Sequence, residues 1–166
     1  MLEVMIAILT ITAFSIGTLQ LMAFTALYKV RSERQAKANF WIQEDFEDVK
    51  YIASTLDVNS SPANPNVSED VCTNINQGYA TALRRQLTAP ITPIPTEQLV
   101  ATRPIVGKNY SLYRTFNITS ANPHRLRIDY RVQLATGQIA DDYQNQENVI
   151  ARSSVEVIPD ASFKCP

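Results

Sequence analysis

The pattern of polar and apolar positions divides the chain into three regimes. From Val4 to Tyr28 no residue is charged, a run of 25 positions preceded by a single carboxylate, Glu3. A helix needs about 20 apolar residues to cross a bilayer, so this run predicts a membrane-crossing segment. From Tyr28 to about Leu56 the pattern becomes amphipathic. Ala38, Ile42, Phe46, Val49, Ala53 and Leu56 recur at steps of three and four, while Glu44, Asp45, Glu47 and Asp48 fall mostly off that stripe and are expected to solvate the other side. No Gly or Pro interrupts this second stretch. The two regimes therefore predict one helix from about Leu2 to Leu56, roughly 80 Å long at about 1.5 Å per residue. Residues 1–28 form its membrane half, and residues 29–166 form a globular domain that includes its amphipathic half.

The third regime begins with a loop, Asn59 to Asn66, rich in Asn, Ser and Pro. A second helix is expected from Ser68, with Ser68 as N-cap and Glu69 and Asp70 at the positive end of the dipole. Ile75, Tyr79, Leu83 and Leu87 would make its buried face, with Arg84 and Arg85 in its last turn. Pro90, Pro93 and Pro95 then give an extended connector. Beyond it the period changes to two. Leu126, Ile128, Tyr130, Val132 and Leu134 alternate with Arg125, Arg127, Asp129, Arg131 and Gln133, a strand with one dry and one wet face. Tyr110 to Ile118 is a weaker run of the same kind, joined to the first by the turn Asn122-Pro123, and Val149 to Val157 is a third. Gly137 to Asn148 is a polar loop between them. Three strands without intervening helices predict an antiparallel meander, and the fold class is α+β: a long N-terminal helix covering a small antiparallel sheet.

Charge and composition narrow the chemistry. All 15 Lys and Arg and 15 of the 16 Asp and Glu lie beyond the apolar run, so the domain is formally neutral and lacks the basic field of an obligate nucleic-acid binder. The first stretch lacks a basic leader segment and a small-residue cleavage site, and reads as a retained anchor. Two cysteines and one histidine are too few for a thiolate zinc cage, so no metal is expected. In an extracytoplasmic domain Cys72 and Cys165 would form a disulfide; otherwise they are two separate buried thiols. His124 has no evident nucleophile, and the four glycines are scattered, so neither catalysis nor a cofactor is expected. Lys29, Arg31, Arg34 and Lys37, opposed only by Glu33, read as headgroup contacts beside an anchor, with a partner site as the alternative. Arg125, Arg127 and Arg131 read as a solvated strand face. The functional alternative is a docking or nucleic-acid contact patch, to which Lys108 and Arg114 would add. Trp41, Phe40 and Phe46 read as core or subunit-packing residues.

Glu3 at the mouth of the apolar run is a functional residue by default, because an ionisable group there is costly without a partner. With its neighbours it makes the segment Leu2-Glu3-Val4-Met5-Ile6-Ala7-Ile8-Leu9. This segment resembles the mature N-terminus of type IV pilins and of the pseudopilins of type II secretion. The likeness in sequence covers about the first 30 residues; the long helix, antiparallel sheet and late cysteine follow the same layout. The resemblance implies a structural subunit, a minor pilin acting in assembly, priming or tip decoration, or alternatively a minor pseudopilin. A reading from another class is a single-pass anchored periplasmic binding protein. The family's implied partners are other pilin or pseudopilin subunits through the N-terminal helix and an inner-membrane assembly platform. The implied location is the bacterial inner membrane before assembly, then an extracellular or periplasmic filament. It also implies a leader ending in Gly and two further mature residues ahead of Met1, with prepilin peptidase as partner if that leader exists. Leu2, Glu3 and Val4 become the assembly contact, in which Glu3 pairs with the terminal amine of a neighbouring subunit.

Overall fold

The computed structural model describes residues 2–57, 59–60, 62–142 and 146–165, with the side chains of Leu2 and Ile75 outside that description. The first element is the long helix, α1, running without a break from Leu2 to Ser54. Thr55 N–H and Leu56 N–H bond to the carbonyls of Ile52 and Ala53, so the expected end at Leu56 falls in a tightened closing turn.

Four strands follow in one sheet: β1 (Glu97–Ile105), β2 (Lys108–Ile118), β3 (Leu126–Leu134) and β4 (Val149–Val157). They are antiparallel in the order β1-β2-β3-β4, a meander. The alternation in β3 does what its period dictates. Leu126, Ile128, Tyr130, Val132 and Leu134 are all buried and face Ile118, Phe116, Arg114, Leu112 and Tyr110 across the ladder. Each such apolar side chain taken out of water contributes on the order of 1.5–3 kcal/mol. On the other side, β4 sets Val157, Val155, Ser153 and Ala151 against the same row. The core is closed by the second half of α1, which lies across β4 and β1, and by a second helix, α2 (Tyr79–Thr88), which sits on β3 and β2.

Three expectations need correction. The sheet has four strands rather than three, because β1 forms directly after the proline connector. It is an edge strand of mixed exposure containing Pro104, so it carries no clean period of two. The turn joining it to β2 is Val106-Gly107, with φ of 43° and 82°. Both positions are left-handed, as the favoured two-residue hairpin turn requires, but Val is an unusual residue there.

The second helix begins eleven residues later than Ser68. The Ser68 hydroxyl bonds to the Asp70 carboxylate inside a turn, and Asn74 caps a single 3-10 turn, Ile75–Gln77. The start of α2 is then capped from across the domain: Ala80 N–H donates to the Pro123 carbonyl (3.1 Å) and Tyr79 N–H to His124 Nδ1 (3.3 Å). Gly78 permits this approach, since a Cβ there would overlap the Pro123 carbonyl group.

The third correction concerns charge. The buried stripe of α1 is Arg34, Ala38, Trp41, Ile42, Asp45, Val49 and Ala53, continued by Leu56 after the closing turn, so Asp45 lies on the packed side and not on the solvated one.

Candidate functional site

Two surfaces stand out, at opposite ends of the molecule's chemistry: the bare half of α1 and the outer face of the sheet. On α1 every large apolar side chain from Val4 to Leu27 is between 44 % and 75 % exposed, because no other element among the described residues covers it. This helix is long and apolar enough to cross a membrane. The five hydroxyls between Val4 and Leu27 are satisfied internally. Thr10, Thr12, Ser15, Thr18 and Thr25 each donate to a carbonyl three or four residues earlier. The segment thus offers hydrocarbon a nearly complete apolar surface. Glu3 sits exposed in the first turn of α1, with no ion pair or hydrogen bond among the described residues, and Val4 beside it is 62 % exposed. Leu2 lies in the same turn, its side chain outside the described residues.

The basic flank that follows is not uniform. Lys37 pairs with Glu33 on the helix surface at 2.7 Å. Arg34 instead turns inward, 8 % exposed, and donates to Asp142 at 2.6 Å and to the Val106 carbonyl at 3.1 Å. One guanidinium therefore fastens both the strained Val106 turn and the loop before β4 to the point where α1 enters the domain. Asp142 also takes Lys108 at 3.0 Å. Burial alone would raise the Asp142 pKa, but the hydrogen bonds from Arg34 and Lys108 outweigh it and hold the carboxyl below its ordinary value.

Within the domain the same principle recurs. Arg114 donates twice to Asp45, at 2.7 Å from Nε and 2.5 Å from Nη2, with both side chains buried between α1 and β2. Arg114 therefore faces the helix and cannot join a patch on the outer face. The Tyr130 hydroxyl is buried beside this pair; burial first, and then the charge of Asp45, push its pKa up. Trp41 is in the core with Arg103 stacked 5.0 Å over its ring, and Arg103 pairs with Glu44, tying the edge strand to α1. Phe46 is partly buried against the same core, whereas Phe40 is 68 % exposed.

Cys72 and Cys165 are joined as a disulfide, with Cα atoms 5.2 Å apart. It ties the loop before α2 to the end of a short 3-10 helix, Asp160–Lys164, and Lys164 adds an ion pair to Asp57 at 2.8 Å.

The three arginines singled out on β3 and its approach do share the outer face, but each has its own carboxylate. Arg125 pairs with Glu156 (3.2 Å), Arg127 with Asp129 (3.1 Å) and Arg131 with Glu97 (2.7 Å). Lys108 is occupied by Asp141 and Asp142. They form a neutralised ladder, not a basic patch. Arg152 on β4 belongs to the same face and was not singled out in the sequence; its signal was the alternation Arg152, Ser154, Glu156. Among the described residues no three His, Cys, Asp or Glu side chains are grouped to hold a metal. Comparison with family models, with curated proteins and with solved structures finds no match to this chain.

Proposed function

We propose that this chain is a minor type IV pilin, a structural subunit that enters a filament through α1. One observation carries the reading: a single unbroken helix, Leu2–Ser54, is bare and apolar in its first half and built into the core of a domain in its second. A simple tether has no need of stiff continuity into the domain core. A shaft that packs against copies of itself does, because the domain must then hold a fixed position relative to the packed helix. The first half is at home in lipid and equally at home among other apolar helices, where van der Waals packing takes over.

Glu3 has its role at the transfer between those two environments. A carboxylate carried into an apolar helix bundle is strongly disfavoured unless a cation meets it. The resemblance of residues 2–9 to pilins assigns that cation to the terminal amine of a neighbouring subunit. Glu3→Gln and Glu3→Ala variants are expected to enter membranes as the wild type does and to be depleted from sheared filaments. Fractionation of membranes and filaments reads both quantities, and normal incorporation of either variant would refute the role.

A further inference from the structure

The outer face of the sheet carries four arginines and three carboxylates. Glu156, Asp129 and Glu97 neutralise Arg125, Arg127 and Arg131. That leaves Arg152, exposed and with no ion pair or hydrogen bond among the described residues. It stands directly opposite Arg131 in the β3–β4 register. Like charges in that position repel and weaken a sheet. Arg131 is itself incompletely satisfied, because its Nε is buried without a partner. Its two contacts, Glu97 and the Tyr113 ring at 5.2 Å, both lie on the β1–β2 side, away from Arg152. Between the two arginines runs a shallow groove of about 480 Å³, also lined by Thr115, Asp129 and Ser154.

These features describe a site short of one negative charge and rich in hydroxyl-binding groups. We propose that the groove binds an acidic sugar, a ligand with one carboxylate on an otherwise uncharged, hydroxyl-bearing frame. The carboxylate lies between Arg152 and Arg131, where it relieves their repulsion with a charge-assisted pair. Thr115 exchanges hydrogen bonds with ring hydroxyls, and Asp129, held in place by Asn117 at 2.7 Å, by Arg127 and by Ser154, which itself takes the Arg127 Nε–H at 3.0 Å, accepts another. The charge count selects against nucleic acid: a run of phosphates would meet three carboxylates on this face and only one unpaired cation. The position selects against a second copy packed through α1, because α1 covers the opposite face of the sheet and leaves this one open.

The test uses the full chain in a non-ionic detergent without a sugar headgroup. Calorimetric titration with a trisaccharide bearing one glucuronate is expected to show binding, with a neutral trisaccharide of the same size at least tenfold weaker. Arg152→Gln is expected to weaken the acidic ligand at least tenfold, while Lys50→Gln on the distant helix surface leaves it unchanged. Circular dichroism confirms that both variants are folded. The proposal is overturned by equal binding of the neutral sugar, by an unaffected Arg152→Gln, by absence of binding, or by tighter binding of an acidic peptide or a single-stranded oligonucleotide. Filament incorporation of Arg152→Gln should be normal, so this test and the Glu3 test fail independently.

Discussion

Asp45 on α1 and Arg114 on β2, 69 residues apart in sequence, are joined by two hydrogen bonds with neither side chain more than 8 % exposed. Removing one partner strands the other charge in the core, at a cost of about 3–5 kcal/mol. Asp45→Ala should therefore lower the midpoint of urea unfolding sharply. An apolar pair, Asp45→Leu with Arg114→Met, is expected to recover most or all of the loss. Equal destabilisation by the single and double variants would mean that shape, not charge, is what the pair supplies.

The Cys72–Cys165 bond spans 93 positions. A closed loop of about that size restricts the unfolded chain by roughly 4–5 kcal/mol in the chain-entropy model. Reduction, or Cys72→Ser with Cys165→Ser, should lower the melting temperature by well over 5 °C. The same thermal scan on the reduced wild type should coincide with that of the double variant.

Gly78→Ala places a Cβ against the Pro123 carbonyl, where backbone and not a flexible side-chain tip must yield. Overpacking of this kind costs about 1–3 kcal/mol. The loss should be accompanied by faster hydrogen exchange at Tyr79 and Ala80, the two amides capped from that loop.

Acid should release the clamp at Asp142. Its carboxyl is held below the ordinary value, so it contributes stability above its unfolded pKa of about 3.9 and loses it as pH falls through the folded value. Lys108, whose pKa is raised by its hydrogen bond to Asp141, stays charged throughout. Below about pH 4 the amides of the Val106-Gly107 turn and of the loop reaching Asp142 should lose protection relative to their intrinsic exchange rates at the same pH. Asp142→Asn should show that loss of protection already at neutral pH and abolish its acid dependence.

Much of this architecture was legible in the residues. β3 and β4 were bounded correctly because each has one wet face, so period two is visible. α1 was legible because nothing between Tyr28 and Ser54 can break a helix. β1 was hidden by its place at the edge, where Pro104 and half-exposed positions are tolerated. The start of α2 was hidden because Ser68, Glu69 and Asp70 have the composition of a cap but spend it on a local turn. Asp45, Arg34 and Arg114 were hidden for a deeper reason. A charge is read as solvated unless its partner is known, and their partners lie between 69 and 108 residues away. The same blindness applied to the outer face, where Arg125, Arg127 and Arg131 showed in the sequence as a row with Asp129, while the partners on neighbouring strands, Glu156 and Glu97, did not.

The continuity of α1 has a mechanical consequence. About 27 residues separate Leu27 from Ser54, a rigid arm of roughly 40 Å at 1.5 Å per residue. A tilt of about 10° where the helix leaves its apolar surroundings would swing the far end by roughly 7 Å. Because Arg34 and Asp45 clamp the sheet to that arm, the domain turns with it as one lever instead of trailing on a hinge.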